Sequence, residues 1–133
     1  MDDQGQHIDW RLLAGDALAI LGSILIGLQY HEGSTSFLSR VTYNFFAWFL
    51  AWLSVGFALG IFDFAMVNGW KRFGRLVWTM LLAAPFATLL RAAWLGQTAL
   101  PIFALVMGLV TLAALLIWRL IFGTIAIKIR SDE

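Results

Sequence analysis

Apolar residues in this chain fall into four long blocks separated by short polar breaks, and each block approaches the ~20 residues a helix needs to cross hydrocarbon. The first runs from Leu12 to Tyr30 and is interrupted only by Asp16, Ser23 and Gln29. HEGSTSFLSR, residues 31–40, is polar and turn-forming, which predicts a surface loop. The second block covers 42–67 and holds nine of the chain's aromatic residues. A short basic hairpin, NGWKRFG, links it to the third block, 75–95. Gly96, Gln97 and Thr98 form a connection short enough to require an antiparallel helical hairpin. The fourth block spans 98–122, with Thr98 as the expected N-cap and Pro101 in the first turn, where a missing amide donor costs little.

Buried amides in lipid must bond internally, so four helices are the economical solution. The prediction is an all-α, polytopic membrane protein with one four-helix transmembrane domain, 12–123, in an up-down bundle. Residues 1–11 read as a polar tail lacking the basic start, apolar core and cleavage site of a signal peptide. Residues 124–133 read as a C-terminal tail leading out through the headgroups. No internal repeat of convincing length is present, so half of an inverted-repeat transporter is not supported.

Composition sharpens this picture. The 133 residues are 61% hydrophobic and 13% charged, against about half and about a quarter in soluble domains. A net charge of +1 without a basic stripe argues against nucleic acid as a partner. With no cysteine there is no disulfide framework, thiolate metal site or thiol catalyst. Of the nine basic residues, seven (Arg11, Lys71, Arg72, Arg75, Arg119, Lys128 and Arg130) fall on the side of the termini and the second loop, and only Arg40 and Arg91 on the other. By the positive-inside rule both termini are expected in the cytoplasm. Trp10, Trp70, Trp94 and Tyr30 fall near span ends, where amphipathic rings favour the interface.

The few polar residues inside the spans are the candidates for chemistry. Asp16 in span one, Asp63 in span two and Arg119 in span four have similar depth. A lone intramembrane charge requires a partner or a wet cavity. A structural Asp–Arg pair, a proton or cation path through the two carboxylates, and a metal or lipid-phosphate site are the alternatives. Two carboxylates alone are a thin ligand set for a hard cation. On the other side, His31, Glu32 and Arg91 form an outer cluster if spans one and three approach each other; they read as an interfacial ion pair or as a pH-sensitive or ligand-holding histidine. A bis-histidine haem is disfavoured, because His7 and His31 lie on opposite sides of the membrane. No metal site is predicted.

In span two, Phe45, Trp48, Phe49 and Trp52 recur at steps of three and four. They read either as packing against lipid and neighbouring helices or as a candidate face for a partner helix, quinone, carotenoid or other pigment such as chlorophyll. No cofactor is predicted outright. Gly56 with Gly60, and Ala104 with Gly108, show the small-xxx-small spacing of close helix contacts. Pro85 removes one hydrogen bond from span three. No phosphate loop, HExxH or nucleophile elbow occurs, so no catalytic residue is expected.

The polar landmarks form a series. Asp16, His31, Arg40, Gly60 with Phe62, Leu90–Arg91, Pro101, Phe103 and Val106, and Trp118–Arg119 together resemble the membrane-protein family known as domain of unknown function 3054, over roughly residues 12–120. The resemblance implies a small prokaryotic four-helix protein of the inner (cytoplasmic) membrane and implies no activity. This chain departs from the family where Gln29 and Tyr30 precede His31 and Glu32 follows it. The expected function is that of a non-catalytic accessory subunit of a larger membrane complex, respiratory or photosynthetic, in contact with lipid and other transmembrane subunits. The alternative is a small homo-oligomeric transporter or proton-linked permease using Asp16 and Asp63.

Overall fold

A computed structural model describes residues 8–29, 36–62 and 70–132. They form four helices: α1 (Trp10–Leu28), α2 (Phe37–Leu59), α3 (Trp70–Leu95) and α4 (Pro101–Ser131). All four are long and apolar enough to cross a membrane, the architecture of a multi-pass membrane protein. Each helix packs on its sequence neighbour, and α4 closes the ring on α1. The bundle is therefore a square in which α1 faces α3, and α2 faces α4, across the diagonals. Leu18, Leu81, Leu89, Leu105, Leu109 and Ile117 are more than half exposed on its outer surface, which water would penalise and hydrocarbon does not.

Local chemistry moves several helix ends from where hydropathy alone puts them. The Asp9 side chain caps α1, accepting from the Arg11 amide at 3.0 Å, so the helix starts within the expected tail. Ser36 caps α2 by accepting from the Ser39 amide at 3.3 Å, and the helix starts within the expected loop. α4 starts at Pro101 rather than from a Thr98 cap. A residue before proline is driven to extended backbone, and Leu100 has φ −96° and ψ 117°. The basic WKRFG segment forms the first turns of α3 instead of a hairpin. α4 runs on to Ser131 and has 31 residues. At 1.5 Å per residue that is about 46 Å, well beyond a ~30 Å hydrocarbon core.

The largest departure is the end of α2, expected near Val67 but found at Leu59. Gly60 adopts φ +67°, and the Ile61 amide donates to the Gly56 carbonyl (3.1 Å) and that of Gly60 to Phe57 (3.3 Å). This is a Schellman motif, which favours glycine at the left-handed position. Hydropathy stays high past the stop because Ile61 and Phe62 fold back into the core, 4% and 3% exposed. The Phe62 ring packs edge-on to Trp52 and Phe57 and occupies the space beside Gly56. Gly56 and Gly60 thus serve this reversal. Gly108 does mark a close approach, since a Cβ there would lie 3.0 Å from that of Ala84 on α3. On the α1–α4 seam, Gly15 leaves the room filled by the Trp118 indole and Gly27 the room beside Met107.

Candidate functional site

Three of the chain's polar residues meet in the centre of one end of the bundle. Asp16 projects from α1, Arg119 from α4 and Trp52 from α2, and their exposures are 0%, 3% and 1%. Arg119 Nη2 donates to Asp16 Oδ2 at 2.5 Å, and Nε to Oδ1 at 3.2 Å. This is the two-pronged geometry in which a guanidinium matches a carboxylate. Trp52 Nε1 donates to the same Oδ2 at 3.1 Å. Arg119 Nη1 donates to the Ile61 carbonyl at 2.8 Å. That carbonyl lies beyond α2, in the reversal that Gly60 makes. The Phe62 carbonyl accepts from the Asp9 amide at 3.3 Å, so the same reversal also anchors the start of α1. Trp118 Nε1 reaches the Leu12 carbonyl at 3.4 Å, a second α4–α1 bond.

Of the two acidic candidates, Arg119 therefore pairs with Asp16. Asp63 lies outside the described residues, as do His31 and Glu32 of the expected outer cluster. Arg91 is described, and its guanidinium carbon stands 4.9 Å from the centre of the Phe103 ring of α4. Because α1 and α3 sit on a diagonal, the approach of spans one and three on which that cluster depended is not made. Trp48 and Trp52 of the aromatic series turn inward, 2% and 1% exposed. Phe45 and Phe49 are half-buried and stack on each other, centroids 5.4 Å apart and planes 10° from parallel. Ala104 lines a groove between α3 and α4.

Polar side chains also enter the core at the opposite end. Asn44 is 5% exposed, and its Nδ2 donates to the Arg40 carbonyl at 2.8 Å. Its Oδ1, Trp48 Nε1 and Arg91 Nε are buried without a hydrogen-bond partner. Nearer the middle, Ser23 on α1 and Thr111 on α4 share a buried hydrogen bond of 3.1 Å. Sequence inspection overlooked Asn44, whose single amide is hidden among aromatics in the richest apolar block.

Among the described residues, two cavities that open on the bundle surface stand out. One, about 740 Å³, is an apolar groove between α3 and α4 bordered by Ala84, Pro85, Ala104 and Gly108. The other, about 550 Å³, enters between α1 and α4 and reaches Asn44. Neither includes Asp16 or Arg119 in its walls. Among the described residues no three His, Asp or Glu side chains come together as metal ligands.

The family model described as "Protein of unknown function (DUF3054)" matches residues 13–122, in agreement with the resemblance of the polar landmarks. No curated protein and no solved structure matches the chain.

Proposed function

We propose, from the premise that the chain belongs to the DUF3054 family, that it is a small integral membrane protein serving as a non-catalytic accessory subunit of a larger membrane complex. The closure of its charged centre carries this reading. Both oxygens of Asp16 are engaged, Arg119 is bonded on three nitrogens, and neither described cavity reaches the pair. Such an arrangement locks three helices and the α2 reversal together, as a structural ion pair does. Short connections support the same role, since only five residues, 96–100, separate α3 from α4.

The inward turn of Trp48 and Trp52 changes where a partner would bind. The surface we assign to it is the α3–α4 groove, where the small, half-buried Ala104 permits a helix backbone to come close. The orientation with cytoplasmic termini and the prokaryotic inner membrane belong to the same proposal, on the strength of the basic residues gathered at one end. A proton-linked permease using Asp16 and Asp63 has less in its favour, because both Asp16 oxygens are bonded to Arg119.

Gentle detergent extraction followed by native-gel separation tests the proposal. The expected result is co-migration with larger subunits in fixed stoichiometry, lost on Ala104→Trp, which fills the groove. Recovery of a homo-oligomer alone would overturn it.

A further inference from the structure

The cavity between α1 and α4 has a chemical character that the accessory role does not use. Ile26, Ile102 and Val106 stand at its lipid-facing rim, more than half exposed. Its volume, about 550 Å³, is in the range of small-molecule sites, about 300–1,000 Å³. Its walls are apolar except at the inner end, where it meets Asn44. Asn44 belongs to α2, the helix diagonal to α4, so the opening passes from the lipid side to the axis of the bundle.

A buried polar atom of the residue at that inner end lacks a partner. Asn44 Oδ1 is a bare acceptor, and the amide orientation is secured by Nδ2 donating to the Arg40 carbonyl. The reverse orientation would set oxygen against oxygen. Buried polar groups are normally satisfied, and an exception calls for an explanation. A group that donates a proton to the amide oxygen satisfies it, and a hydroxyl is the simplest such group on a lipid-phase molecule. An ionised carboxylate or phosphate has no proton to give Asn44 and would meet its oxygen with another.

We propose that the cavity between α1 and α4 binds an apolar, lipid-phase molecule headed by a hydroxyl group, with the hydroxyl at Asn44 and the apolar body along Phe103 and Met107. Arg91, stacked on the outer wall residue Phe103, positions that ring. Long-chain alcohols, isoprenoid alcohols and quinols share the required chemistry, and competition among them identifies the source.

The test uses the full-length protein in lipid nanodiscs and a photoreactive tetradecanol carrying a diazirine on its chain. Peptide mapping is expected to place the label on residues 26–28 and 102–107. Tetradecanol should compete about tenfold better than tetradecane, and better than tetradecanoate. Asn44→Leu should abolish the preference for alcohol over alkane while labelling persists. Val106→Trp should remove the labelling by filling the entrance, and it touches no polar group, so it decides the matter even if Asn44→Leu fails to fold. Equal competition by alkane and alcohol, preference for the carboxylate, or label spread evenly over lipid-facing residues would each overturn the proposal.

Discussion

Replacing Asp16 with leucine leaves the Arg119 guanidinium buried with only the Ile61 carbonyl as a hydrogen-bond partner, since two of its three bonds end on Asp16. Trp52 Nε1 loses its acceptor as well. Breaking a buried ion pair from one side costs about 3–5 kcal/mol, because an uncompensated charge stays behind. At about 1.4 kcal/mol per decade, that corresponds to a 100- to 4,000-fold loss in the folding equilibrium. Arg119→Leu should fall in the same range, with the added loss of a donor to Ile61. Replacing both residues removes both charges, and apolar substitutes for a buried pair are often neutral or stabilising. The double variant Asp16→Leu/Arg119→Leu should therefore be more stable than either single variant. Reversible unfolding in lipid bicelles, followed as a double-mutant cycle, measures all four states. A double variant as unstable as the sum of the singles, or a single variant within ~1 kcal/mol of the native protein, would refute the pairing as the source of the stability.

Further outcomes follow from individual contacts. Trp52→Phe removes the donor to Asp16 together with part of the buried indole. Its cost should be about 1.5–3 kcal/mol smaller in the Asp16→Leu background, the worth of a hydrogen bond to a charged group; equal costs in the two backgrounds would contradict the bond. Gly60→Ala forces a side chain to φ +67° and should destabilise by about 1–2 kcal/mol; a neutral result in the same unfolding assay would contradict the Schellman termination. Gly15→Val collides with the Trp118 indole and should be partly rescued by Trp118→Ala in thermal-stability measurements. Because the chain has no cysteine, single cysteines report topology directly. Gln97→Cys should react with an impermeant maleimide on intact cells, and Ser131→Cys only after permeabilisation; the reverse pattern would invert the assigned orientation.

The sequence revealed the fold through the length of its apolar blocks, and it narrowed the partner of Arg119 to Asp16 or Asp63, which share its depth, without choosing between them. What stayed hidden has a common physical cause. Hydropathy measures what a segment buries and not how its backbone runs, so Ile61 and Phe62, equally apolar in a helix or a reversal, concealed the end of α2 at Gly60. A carbonyl acceptor such as that of Ile61 has no sequence signal at all. Trp52 was noticed for its ring, whereas its role at the site comes from its N–H. Depth along a helix says nothing of neighbours around it: only the packing of α4 on α1 selects Asp16 for Arg119.

The closing of the ring by α4 has a consequence for how the protein is made. Asp16 and Arg119 are 103 positions apart, and at about 5–20 residues per second a ribosome takes roughly 5–20 s to go from one to the other. Throughout that interval α1 carries a carboxylate whose guanidinium does not yet exist. A chain cut short anywhere before Arg119 keeps its carboxylate permanently unmatched, so the arrival of α4 both completes the bundle and certifies that synthesis ran past that point.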